Sequence, residues 1–450
     1  MKIVIIGAGI GGLSAYHALR KYLAHAPGVT IKIYESHGSP ASTNSNVGGG
    51  LGLAPNGLRA IASVSPGAAD YIQTHGFPGP IMTFRNSSGR LLGQFWSGRK
   101  ERYGFDQLML RRATVHEALL QDMPADAVIW GTPVQSVRET KEGVEITFAD
   151  GTSETADLVL GADGVRSVVR KCNFEDQYPA TYDGLTGVGG FIPLTSLSQR
   201  LRDSFQTEGV TMTFGELGFF GYSLASPYKP GDDIQNHFIQ WWSIYESSTP
   251  PSRTQAHSVV LSQLLERHGA WKSPHDTPDH GVYEEIIKLG CTTDGDPNIP
   301  NETLLILPRY VTPRLPHWYS PSGSGRIILL GDAAHAMPPD SGQGVSCAAE
   351  DSATLGLLLK HYHVTKGLDL AETLKRTATA YESLRVKRVG RILDVAKRNG
   401  NMKKKLSAFQ QWIRDRFFGL MCKVPESIND PLFAYDVDVE VAKYLKRTEV

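Results

Sequence analysis

The sequence predicts an α/β fold: a dinucleotide-binding domain on a parallel sheet, an antiparallel-sheet domain interleaved with it, and C-terminal helices. Three observations carry this expectation. The chain opens with an apolar run, a glycine-rich turn and an alanine- and leucine-bearing stretch. Its middle alternates apolar and polar residues and is rich in rings, and its last third repeats the order of apolar run, glycine-rich turn and helix-like stretch. At 450 residues there is room for two domains and a helical tail.

Lys2-Ile3-Val4-Ile5-Ile6 reads as a buried strand, Gly7 to Gly12 as a turn, Leu13 to about Leu23 as a helix, and Val29 to Glu35 as a second strand ending in an acid. This is a Rossmann-like βαβ unit carrying GxGxxG. Gly7 turns the chain, Gly9 admits a pyrophosphate to the backbone, Gly12 lets helix and strand pack, and Glu35 accepts from ribose hydroxyls. A carboxylate there disfavours a 2′-phosphate, so the resident nucleotide is expected to be FAD or NAD. Ser42 to Pro55 is rich in Ser, Asn and Gly, and is either a flexible loop or backbone lying on a ligand through Gly49 and its neighbours.

Leu108 to Leu120 reads as a helix, on which Arg112 taken alone is a solvated arginine. Val128–Trp130 and Val134–Val137 read as strands, and Val144–Phe148 with Asp157–Leu160 as a hairpin-like pair around Asp150-Gly151. In Gly161-Ala162-Asp163-Gly164-Val165-Arg166-Ser167, Asp163 can accept from a nucleotide, although Asp-Gly is also an ordinary turn. From Tyr178 to Tyr283 the strands Val210–Phe214, Phe219–Leu224 and His237–Tyr245 make a largely antiparallel sheet. Most of its rings are expected in the core and a few around an apolar cavity for a planar substrate.

Leu304 to Pro308 is expected to return the chain to the first domain. Arg326 to Leu330 then forms a strand, and Gly331-Asp332-Ala333-Ala334-His335-Ala336-Met337-Pro338-Pro339-Asp340-Ser341-Gly342-Gln343-Gly344 the turn into a buried helix, Val345 to Leu359. The Pro-Pro pair keeps that turn extended, and the free N–H groups of the helix start favour an electron-rich ring that becomes anionic on reduction. Glu372 to Asn399 is a long helix, and Lys403-Lys404-Lys405 a solvated face.

The joined string GDAAH, PP, GQG and Glu350-Asp351 resembles the second flavin motif of the FAD-dependent aromatic hydroxylases. These are the class A flavoprotein monooxygenases, which include the para-hydroxybenzoate and salicylate hydroxylases. Many members carry asparagine where this chain has Ser346. GADGVRS, the Gly-Gly-Gly-Leu-Gly stretch before Pro55-Asn56, Arg112, Tyr182 to Gly190, Tyr381-Glu382-x-x-Arg385-x-x-Arg388 and Phe433 to Val437 also match, so the resemblance covers nearly the whole chain. It implies bound FAD contacted by Gly9, Gly12, Glu35, Gly49, Arg112, Val134, Asp163, Asp332, Pro338, Gly342, Gln343, Gly344 and Val345.

It further implies a transient NADPH or NADH, oxygen activated as a flavin hydroperoxide, and transfer of one oxygen atom to a small aromatic, heteroaromatic or other electron-rich substrate, including secondary metabolites. The same fold also serves flavin-dependent reductases or oxidases, and a non-catalytic FAD-binding protein is a further alternative. No catalytic residue is assigned: Val-Gly-Gly stands where some members carry a substrate arginine, and His335 reads as structural.

The expected division is 1–75, 100–175 and 290–360 for the FAD-binding domain, 76–99 and 176–289 for the substrate domain, and 361–450 for the helical region. With 46 basic and 46 acidic residues, nothing points to nucleic acid. Cys172, Cys291, Cys347 and Cys422 lack metal or redox spacing, no apolar run is long enough for a signal peptide or a membrane span, and the expectation is a cytoplasmic monomer or homodimer without metal.

Overall fold

The opening strand, Lys2–Ile6, is the centre of a parallel sheet in the computed structural model, which describes residues 1–42, 49–229, 231–291 and 304–448. Among the described residues its strands lie in the order Ile327–Leu329, Leu158–Gly161, Lys2–Ile6, Thr30–Tyr34 and Val128–Ile129. Ile3, Val4 and Ile5 have no solvent exposure, as parallel strands covered on both faces require. Gly7 has φ +103°, and a Cβ on Gly12 would lie 1.9 Å from the Gly7 carbonyl oxygen, so turn and helix close only with glycine there. The helix Ile10–Tyr22 packs against the later helix Gly344–Leu359, where a Cβ on Gly356 would come 2.7 Å from the Tyr22 ring.

A second sheet has the order Leu305–Val311, Thr181–Pro193, Phe238–Glu246, Phe219–Leu224, Val210–Phe214, Ile81–Asn86 and Leu91–Trp96. It is antiparallel except where Val210–Phe214 runs beside Ile81–Asn86. The three aromatic strands stand where their alternation places them. Phe220 stacks on Trp241 at 5.7 Å and meets Tyr283 edge-on at 5.5 Å, forming a core separate from that of the parallel sheet.

Three local readings differ from the structure. Leu108–Arg111 is a strand, paired with Gly50–Leu53, and only Arg112–Gln121 is helical. Pairing between glycine-rich backbone and an apolar run outweighs helix propensity here. Val144–Phe148 turns back onto Ser153–Ala156, whereas Leu158–Gly161 enters the parallel sheet. The alternating, polar Ser-Glu-Thr-Ala suits a sheet with one wet face, and the all-apolar Leu-Val-Leu suits burial on both. Leu305–Val311 does not return to the first sheet but forms the edge of the second, pairing with Thr181–Pro193.

The helix Leu370–Asn401 crosses Gly344–Leu359, and a buried ion cluster joins them. Arg385, with no exposure, donates from Nε to Asp351 Oδ1 and from Nη1 to Glu350 Oε2, both at 2.7 Å. Arg388 reaches Glu350 Oε1 at 3.0 Å, and Asn56 donates to the same oxygen at 2.6 Å. The closing segment folds back as well, since Arg59 donates to the carbonyls of Phe433 and Tyr435, each at 3.0 Å.

Removing Arg385 leaves two buried carboxylates short of a counter-charge. Arg385→Met is therefore expected to lower unfolding free energy by about 3–5 kcal/mol in urea titrations, and adding Glu350→Gln and Asp351→Asn to recover most of the loss.

Candidate active site

A cleft of about 2240 Å³ lies between the two sheets. On the side of the parallel sheet and the small sheets beside it, it is lined by Gly9, Glu35, Gly49, Arg112, Val134, Asp163 and Asp332, and from the late turn by Gly342, Gln343, Gly344 and Val345. The second sheet contributes Gly187 to Gly190, Phe214, Phe219, Gln240, Trp241 and Trp242. Phe220, Tyr222 and Tyr245 belong to the core, as do Phe214, Phe219 and Trp241, which back the cleft wall from within it; Trp242 is only partly buried. Residues 43–48, which carry part of the Ser/Asn/Gly-rich stretch, lie outside the described residues.

Glu35 is held from several directions. Its Oε2 accepts from Ala8 N at 2.7 Å, and its Oε1 accepts from His37 N at 2.9 Å and Ser36 Oγ at 3.0 Å. Burial pushes this carboxyl up, but the donors from His37, Ala8 and Ser36 outweigh it and hold the group below its ordinary value. Arg112 begins its helix facing Glu35 and Asp332, and its Nη1 is buried without a hydrogen-bond partner among the described residues. A Cβ on Gly9 would lie 3.7 Å from Arg112 Nη2, so the nucleotide turn and this cation share one wall.

Asp163 Oδ2 accepts from Val168 N at 2.7 Å and Val169 N at 3.0 Å, capping the short helix Val168–Asn173, while Oδ1 is buried without a hydrogen-bond partner among the described residues. Burial raises its pKa. Asp332 is exposed into the cleft; the protein around it raises its pKa against the pull of His335 and Arg112. Beside it, the helix Gly344–Leu359 begins without a side-chain cap, because the Gln343 side chain instead accepts from Asn56 Nδ2 at 2.9 Å. Its first N–H groups are thus left for the cleft.

Two of the expected contact residues stand away from the cleft. Gly12 lies beneath the turn against Gly7, and Pro338 lies behind Pro339, which takes the lining position. Their roles are in backbone geometry. Ser346 also faces away: a Cβ on Gly57 would be 2.3 Å from its Oγ, so a small side chain lets the two helices close. His335 sets its Nε2 2.7 Å from Asp351 Oδ2, which also accepts from Gly331 N at 2.9 Å, tying both ends of the late turn together.

Lys403 corrects the expectation of a solvated face. It is buried, with Nζ 2.7 Å from Asp340 Oδ1 and 4.1 Å from the centre of the Phe219 ring. Arg309 completes the group at 2.7 Å from Asp340 and 2.6 Å from Asp183. All but Asp183 of these charged residues line the cleft, and sequence reasoning missed them as site residues. Asp340, directly after the Pro-Pro pair, was the one available signal.

A family model described as the FAD binding domain matches residues 1–270 and 318–391. The chain belongs to this FAD-binding family. FAD is its cofactor. Along most of its length the family member is similar to the aurachin C monooxygenase/isomerase of Stigmatella aurantiaca, with 25% identity over 94% of each chain. It is 24% identical to a salicylate hydroxylase of Pseudomonas putida, over 98% of this chain and 94% of that one. The Klebsiella pneumoniae HpxO structure with FAD and uric acid superposes with a TM-score of 0.73 at 21% identity, covering 99% and 97% of the two chains, and shares the fold.

The late turn rests on carboxylates whose charged forms are favoured. Burial pushes Asp351 up, but His335 and Arg385 bring it down to about 2; Arg385 and Arg388 lower Glu350, and Lys403 and Arg309 lower Asp340. Folded-state values below the unfolded ones mean stability that is full above the ordinary carboxylate range and lost as pH falls through the depressed values. Urea midpoints are expected to drop steadily from about pH 5 towards pH 2. Asp351→Asn is expected to lower the neutral-pH midpoint and flatten that slope.

Proposed function

We propose that this FAD-binding protein is an NAD(P)H-consuming monooxygenase that places one oxygen atom of O₂ on an aromatic or heteroaromatic substrate. One observation carries the reading: a single cleft joins the nucleotide turn, an uncapped helix start and an aromatic-walled sheet. The donor set fits FAD. Glu35 would accept from ribose hydroxyls, the buried and unpartnered Arg112 Nη1 would donate to the pyrophosphate, and the likewise buried and unpartnered Asp163 Oδ1 would give a further acceptor on the same wall.

Bound FAD supplies the hydride acceptance and oxygen activation that no amino-acid side chain provides. The chain supplies position and field. The starts of Ile10–Tyr22 and Gly344–Leu359 both lack a side-chain cap and turn partial positive charge towards the cleft. Trp242, only partly buried, offers flat apolar surface to orient a planar substrate, and Phe214 and Phe219 back that wall and exclude water. The ion pairs of Asp340 with Arg309 and Lys403 keep the turn after Pro339 fixed beside that surface.

Arg112→Ala is expected to weaken FAD binding by about 2 kcal/mol, roughly thirtyfold, while leaving circular dichroism unchanged, as flavin fluorescence titration would show. With NADPH or NADH, a panel of phenolic and heteroaromatic compounds and labelled O₂, product mass is expected to show one labelled oxygen. Flavin reduction with peroxide but no labelled product would identify a reductase or oxidase of the same fold.

A further inference from the structure

We propose that the helix Ala408–Met421 seats the protein on an anionic phospholipid surface. Phe409, Trp412, Ile413, Phe417 and Leu420 recur at helical spacing and form one stripe, continued by Val424 and Ile428. These side chains are exposed, Phe409 at 69% and Leu420 at 66%, which is unusual for apolar residues that recur on one helix face. The opposite face is already satisfied: Phe418 stacks at 4.6 Å on Phe84, and Arg414 donates to the Gly215 carbonyl at 2.9 Å. The helix therefore stays on its sheet while the stripe faces outward.

Charge selects the occupant. Of the basic residues between 401 and 424, Lys403 is buried on Asp340 and Arg414 against Gly215, which leaves Lys404, Lys405, Arg416 and Lys423 towards the surface. Of the acids along the stripe, Asp415 pairs with Arg414, Glu426 with Arg99 and Asp430 with Arg102, in a chain whose net charge is zero. Lys405, Arg416 and Lys423 are exposed, and the Arg416 guanidinium lies 5.3 Å from the centre of the Trp412 ring. Aromatic and aliphatic side chains beside basic ones are the pattern of a helix lying in the bilayer interface. A second copy across a twofold axis would set these cations against one another. Among the described residues no helix is long and apolar enough to cross a membrane, so the contact is peripheral.

The position gives the contact a use. Phe417, Met421, Val424 and Ile428 also line the cleft, so the stripe runs into its mouth and a lipid-partitioned molecule can enter without crossing open water. This inference is independent of the redox reading, because binding is scored without turnover.

The test is co-sedimentation of the FAD-loaded full chain with vesicles of phosphatidylcholine alone or mixed with phosphatidylserine. Binding to the mixed vesicles is expected to be about tenfold tighter or more and to weaken with salt. Trp412→Ser with Leu420→Ser, or Lys404→Glu with Lys405→Glu, is expected to reduce it by about tenfold or more while flavin absorbance stays unchanged. Brominated lipid is expected to quench wild-type tryptophan fluorescence but not that of Trp412→Phe. Absence of vesicle binding overturns the proposal, as does a dimer in sedimentation velocity that the Trp412→Ser, Leu420→Ser variant dissociates.

Discussion

Arg385, sealed from solvent between Glu350 and Asp351, fixes where the helix Gly344–Leu359 can begin. Two consecutive buried carboxylates in an alanine-rich helix would be intolerable in an apolar interior unless a cation met both. The long helix brings that cation, and the remaining lone pairs are taken by Arg388, Asn56, His335 and Gly331 N. Asp351 thereby binds Gly331, two residues past the preceding strand, while Asn56 binds Gln343 at the helix start. A few hydrogen bonds so position both ends of the turn that faces the cleft.

The same economy operates on the side of the second sheet. Asp340 is an acid within a loop, and Arg309 from the second sheet and Lys403 from beyond the long helix converge on it. The late turn is thus clamped from behind by one ion cluster and from the side by another, each drawing on elements distant in sequence. Preorganisation of this kind lets a helix end act as a fixed dipole instead of a fraying terminus.

What was legible in the sequence was local. The opening βαβ unit, the aromatic strands and the strand, turn and helix around Gly331 to Leu359 each carry their periodicity and glycine chemistry within a few residues, and they stand where expected. The departures share one cause, a partner far away in the chain. Leu108–Arg111 is a strand because Gly50–Leu53 offers an edge, Leu305–Val311 stays in the second sheet because Thr181–Pro193 does, and Lys403 is buried because Asp340 receives it. Gly12 and Pro338 show a further limit: pattern reveals that a backbone must turn or pack, not which of its atoms faces the cleft.

The interleaving of the two sheets bears on how the chain is made. Lys2–Ile6 is flanked in the finished sheet by Leu158–Gly161, which in turn pairs with Ile327–Leu329. Ile81–Asn86 awaits Val210–Phe214 in the same way. During synthesis the early strands emerge with open edges; the second layer has all its strands only once residue 311 has been made, and the first only after residue 329. Dissection at any of the domain crossings would strand one edge in each fragment, so the two halves of this protein share a single folding fate.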